Sequence, residues 1–134
     1  MKIHGLNECL KALQFDDKEI GKALQSGGEL ILNQTKINMD KDATVANSYN
    51  MTVGRTESGG WIVRIESTTL MAAYYEFGTG NFVRVSEPAD DAYAMEFFRT
   101  GKGTLRPYPH LYPAYRQYRD KIIESIKEAI SSQF

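Results

Sequence analysis

At 134 residues, with 42% hydrophobic and 25% charged content, the chain has the size of one domain with a modest core and the composition of an ordinary soluble globular protein. Lys+Arg 16 against Asp+Glu 17 leaves a net charge of -1, divided as eight basic and nine acidic residues in 1–67 and eight of each in 68–134. That balance lacks the basic stripe of a dedicated nucleic-acid binder, and it leaves little self-repulsion to oppose association between copies.

One cysteine, Cys9, excludes an internal disulfide and fits synthesis in a reducing cytoplasm. The opening stretch Met1–Glu8 turns polar too soon for a signal peptide, and no apolar run nears the ~20 residues that cross a bilayer. No membrane role is expected.

Leu6, Leu10 and Leu13 recur at helical spacing, which predicts a short helix over Gly5–Phe15. Asp16-Asp17 breaks the pattern and suits the start of a second helix, since a carboxylate caps free N–H groups and opposes the positive helix end. That helix is predicted over Asp17–Asn38, with Ile20, Leu24, Gly27/Gly28, Ile31 and Thr35 on one face and Ala23, Leu30 and Ile37 alongside. Two adjacent glycines within a helix cost roughly 1 kcal/mol each relative to alanine. They mark either a close packing contact or a kink between two shorter helices.

From Thr44 the period changes to two. Val45, Tyr49, Met51 and Val53 alternate with small or polar residues, Thr56–Gly60 makes a turn, and Trp61, Val63 and Ile65 alternate on the way back. The expectation is a hairpin over about 44–67 with one buried face. Ser67-Thr68-Thr69 then suits the start of a short helix over Leu70–Phe77, closed by Gly78 in a left-handed conformation. Phe82–Val85 reads as a possible third strand. Ser86-Glu87-Pro88 opens a predicted helix to Phe98. Pro107, Pro109 and Pro113 hold the following stretch extended. The clearest helix runs from Tyr112 to Phe134, with Leu111, Tyr115, Tyr118, Ile122, Ile126 and Ala129 as its stripe, expected to bury itself against the hairpin. The fold class is therefore α+β: a single domain over 1–134, a short antiparallel sheet packed by a long N-terminal and a C-terminal helix, and a long inserted loop over 81–106.

Catalytic chemistry needs a convergent set of reactive groups, and the chain offers few. His4 sits near the terminus, and His110, set among prolines and aromatics, reads as a packing or interface residue rather than a base. Cys9 reads as core filler, and one Cys with two distant His makes no metal site. No cofactor is expected, and the chain reads as no enzyme; a small hydrolase built on Glu76 and His110 would lack its third group. The interleaved Arg and Tyr of 106–119 invite a nucleic-acid-binding module that stacks bases on aromatics, but Tyr115 and Tyr118 fall on the apolar stripe. Protein contact is the better reading, because tyrosine and arginine are favoured at interfaces.

Three stretches together carry a resemblance. Gly5-Leu6-Asn7-Glu8, Tyr74-Tyr75-Glu76-Phe77-Gly78-Thr79-Gly80 and Pro109-His110-Leu111-Tyr112-Pro113-Ala114 resemble, in order and approximate spacing, the signatures of bacteriophage tail-completion or head–tail joining proteins. His110 stands where that family usually has an aromatic, and Met39–Thr44 replaces its usual Pro…Thr-Gly pattern. The resemblance implies a structural virion protein of a long-tailed phage, made in the host cytoplasm and located at the neck or tail end. It further implies a homo-oligomeric ring, commonly a hexamer, that contacts connector or head-closure proteins and the tail tube or terminator, with DNA at most passing through the lumen. The candidate interface comprises Tyr74, Tyr75, Glu76, Phe77, Gly78 and Thr79 at the first turn. Phe82, Tyr93, Phe97 and Phe98 in the loop and Arg106, Tyr108 and His110 beyond it complete the set. Glu76, a lone acid among aromatics, reads either as a carboxylate that receives an arginine from a neighbouring copy or as a solvated helix residue or partner for an arginine of its own domain, and the first reading is preferred.

Overall fold

The computed structural model describes residues 17–80, 83, 103 and 105–133. In chain order these form α1 (Lys18–Asn38), α2 (Ala43–Ala46), β1 (Tyr49–Arg55), β2 (Trp61–Ser67), α3 (Met71–Phe77) and α4 (Leu111–Ser131). The fold is α+β, a two-stranded antiparallel sheet packed by a long N-terminal helix, with a C-terminal helix against it. The predicted helices over 5–15 and 88–98 lie outside the described residues. So does the predicted strand over 82–85, except for Val83, which is in no strand. No helix among the described residues is long and apolar enough to cross a membrane.

α1 runs unbroken through Gly27-Gly28, so the pair is a packing device and not a kink. A Cβ at Gly28 would lie 2.7 Å from Met51 Sδ and from Val63 Cγ1, on the hairpin; one at Gly27 would run into the Ile122 side chain of α4. Two helical turns before Gly28 and on the same face, a Cβ at Gly21 would lie 2.7 Å from the Trp61 indole. α1 therefore beds its backbone on the sheet, while Gly27 turns the same closeness towards α4.

Asp17 holds the start of α1, though not by the expected side-chain cap. Its carboxylate turns to Arg55, accepting from Nη1 at 2.5 Å and Nη2 at 3.0 Å, while its carbonyl accepts from Trp61 Nε1 at 2.9 Å. The Arg55 guanidinium lies 3.9 Å over the Trp61 ring. These two residues face each other across the hairpin, whose register pairs Tyr49 with Ser67, Met51 with Ile65, Val53 with Val63 and Arg55 with Trp61. Gly59, at φ 88, turns the chain between the strands.

The strand begins at Tyr49, not Thr44. Asp42 takes an extended conformation and accepts the Val45 N–H at 3.2 Å, which winds Ala43–Ala46 into one helical turn. Val45 and Ala46 reach the core from that turn, together with Met39, Tyr49 and Ala72. Alternation alone could not separate this turn from a strand.

The C-terminal helix also departs from expectation. α1 covers the hairpin, as expected of the long amphipathic helix, but α4 lies mainly on α1 and not on the hairpin. Of its residues only Ala114 is buried; Tyr115 is 41% exposed, and Ile122 and Ile126 are half-buried. Ile37, expected beside the buried face of α1, is 66% exposed. The side chains missing at Gly27 and Gly28 explain the arrangement, because they let α1 approach both neighbours and occupy the place the stripe was expected to fill.

Candidate functional site

The first turn after the hairpin and the start of α4 meet around one carboxylate. α3 is short and apolar. Thr69 Oγ1 accepts the Met71 N–H at 3.3 Å at its start, and Gly78 ends it at φ 82, ψ -176. The expected positive φ at Gly78 is present, but the backbone there is extended and not left-handed helical. This geometry aims Glu76, in the last turn, inward at the three backbone N–H groups that open α4.

Glu76 Oε2 accepts from His110 N at 2.8 Å and Leu111 N at 3.0 Å, and Oε1 accepts from Tyr112 N at 3.1 Å. These are donors that a helix start otherwise leaves unanswered, and they sit at its positive end. No side chain of its own caps α4; a residue 34 positions upstream does so. Glu76 is only 5% exposed. The expectation that it would receive an arginine from a neighbouring copy is therefore corrected: its oxygens are committed to the backbone of its own chain.

His110 is fully enclosed. Its Nδ1 lies 2.9 Å from the Tyr108 carbonyl and 3.1 Å from Glu76 Oε2. Both are acceptors, so Nδ1 carries a proton, and in the neutral ring Nε2 accepts from the Tyr49 hydroxyl at 2.6 Å. Burial, with the charge of Glu76 adding to it, holds the Tyr49 hydroxyl well above the usual phenol range. Two further ties close the knot. Asn38 Nδ2 donates to the His110 carbonyl at 3.1 Å, joining the end of α1 to the start of α4, and Tyr108 donates its hydroxyl to Asp40 beneath the Lys41 ammonium.

The same region gathers the two ends of a chain excursion. Thr79 N donates to the Leu105 carbonyl at 2.9 Å, Leu105 N donates to Thr79 Oγ1 at 3.0 Å, and Tyr108 N donates to the Tyr75 carbonyl at 2.5 Å. Gly103, at φ 114, packs so closely on Thr79 that a Cβ would lie 2.8 Å from the threonine Cβ. Residues 80 and 105 thus leave and return at one clasp.

The residues expected at an interface divide into three groups. Glu76, Phe77, Gly78 and His110 are buried within the chain, and for Glu76, Phe77 and His110 this corrects the expectation of an outward-facing contact. Tyr74, Tyr75, Thr79 and Tyr108 are half-buried and Arg106 is exposed. Phe82, Tyr93, Phe97 and Phe98 lie outside the described residues. Tyr49, Asn38 and Asp40 join the site without having been sequence candidates for it. A tyrosine at an inward strand position was the available signal, since its hydroxyl needs a buried partner.

Chemically the arrangement is a clamp. The carboxylate and the imidazole are already paired, and neither is open to solvent. Among the described residues no three His, Cys, Asp or Glu side chains converge as metal ligands do. A cleft of about 320 Å³ lies alongside, lined in part by Ser67, Thr68, Thr69, Ala72 and Glu76. In comparison with known proteins, no family model, no curated protein and no solved structure matches the chain.

Proposed function

We propose that this chain is a structural virion protein of a long-tailed bacteriophage, completing the tail or joining head to tail as a subunit of a homo-oligomeric ring, commonly of six, at the neck. The observation that carries the reading is the Glu76 clamp. It ties Tyr74–Gly80 to Pro109–Ala114, the two stretches whose sequences resemble the tail-completion signatures, into one rigid unit. A ring subunit must present a long contact segment from a fixed base, and the clasp at Thr79 and Leu105 supplies such a base. The partly exposed tyrosines and Arg106 around it are residue types that protein contacts favour. Its partners in this reading are copies of itself, the connector or head-closure ring, and the tail tube or terminator, with DNA at most threading the lumen.

The test is electron microscopy of particles assembled without this protein. Tailless full heads beside unattached tails are the expected outcome. Joined, intact particles would overturn the reading.

A further inference from the structure

Phe77 sits between the clasp and the clamp. It is 3% exposed, with the Tyr112 ring 6.0 Å away between centroids and Val83 packed on it as well. Tyr112 gives its backbone N–H to Glu76, so one wall of the Phe77 site belongs to the start of α4. Val83 belongs to the chain excursion, three residues beyond Gly80. At the other end of the excursion Gly103 is seated on Thr79, whose Oγ1 accepts the Leu105 N–H. The polar bonds follow the same two stretches of chain. Tyr75 holds Tyr108, Glu76 holds His110, Leu111 and Tyr112, and Thr79 holds Leu105.

We infer that residues 75–79 and 105–112 form a latch that opens and closes as one unit, so that whatever steadies the ends of the excursion also steadies the start of α4. The reason lies in the shared ring. Freeing Val83 takes one wall from Phe77, and freeing Tyr112 takes another, so the two openings do not cost independent amounts. Coupling of this kind is reciprocal: the clamp must hold the clasp as firmly as the clasp holds the clamp. The inference stands apart from the virion reading, in which the latch would carry a neighbour's grip on the excursion to α4.

Amide hydrogen exchange on the isolated chain, followed residue by residue where the rate reports the opening equilibrium, tests the latch without testing that reading. Val83→Ala takes two methyl groups from a half-buried side chain. It should speed exchange at Thr79, Leu105, Tyr108, His110, Leu111 and Tyr112 by one common factor of about five. Val53→Ala makes the same change at a half-buried position of β1, four residues along from Tyr49. It should leave those six amides at their original rates, because Val53 keeps its surroundings when the latch opens. Glu76→Gln runs the coupling the other way and should speed Thr79 and Leu105 severalfold, although the bonds of both amides lie elsewhere. Acceleration confined to Thr79 and Leu105 in Val83→Ala, or to His110, Leu111 and Tyr112 in Glu76→Gln, would show two separate fastenings and overturn the inference. Six amides that Val83→Ala leaves unmoved would overturn it too. So would a Val53→Ala effect on them as large as that of Val83→Ala, since the two stretches would then part only when the whole domain unfolds.

Discussion

α4 is held in two ways along its length. At its first turn three backbone donors meet the oxygens of Glu76, and the imidazole beside them is bonded at both nitrogens. From Tyr115 to Ile126 the helix is held by shape, pressed on Gly27 and standing off from the hairpin across an apolar trough. Directional polar bonds thus fix where the helix starts, while absent side chains fix how it lies. The polar end has little tolerance for change because each group left without its partner stays buried. The apolar end can repack.

The sharpest way to break this contrast is Glu76→Ala. It strands three backbone N–H groups and removes an acceptor beside His110, and it should cost about 3–5 kcal/mol in denaturant titration, with Glu76→Gln costing less because one oxygen remains. A loss below about 1 kcal/mol would mean that water answers those donors and the end is not rigid. Gly28→Ala tests the shape-held contact between α1 and the hairpin, which sets the place left for α4. The new methyl meets Met51 and Val63 at 2.7 Å. Overpacking of about 1–3 kcal/mol is set against up to about 1 kcal/mol of gained helix propensity, so the melting temperature should fall modestly. A rise would show that the hairpin yields freely. The smallest effect belongs to Asp17. The hydrogen bond from Arg55 holds its carboxyl below the usual range. A depressed folded-state value contributes stability above the unfolded-state value, near 4, that is lost as pH falls through the lower folded one. Asp17→Asn should therefore lower the unfolding midpoint slightly at about pH 7 and make no difference near pH 2; a gap unchanged between the two would remove the ion pair from the account.

How much of this could be read beforehand follows from the range of each interaction. Both long helices, the hairpin with its Gly59 turn and the stop at Gly78 were legible, since periodicity and glycine act within a few residues. The early strand start failed on one residue, Asp42, whose cap turned Ala43–Ala46 helical against an alternating pattern that fits either form. The role of Glu76 was hidden for a different reason: its partners are backbone N–H groups 34 to 36 residues away, and a backbone donor leaves no mark in the sequence. The stripe on α4 was identified, but its neighbour was not, because two glycines say that something comes close without saying what.

The clasp between Thr79 and Leu105 makes the chain tolerant of added length. Once two points of a chain are fastened side by side, the length between them hardly enters the stability of the remainder: doubling it costs only about 0.6 kcal/mol in closure entropy. Length added within the span between Gly80 and Leu105 therefore costs the Glu76 clamp little, whereas Val83, packed on Phe77, and Gly103, seated on Thr79, are points of that span that have to stay as they are.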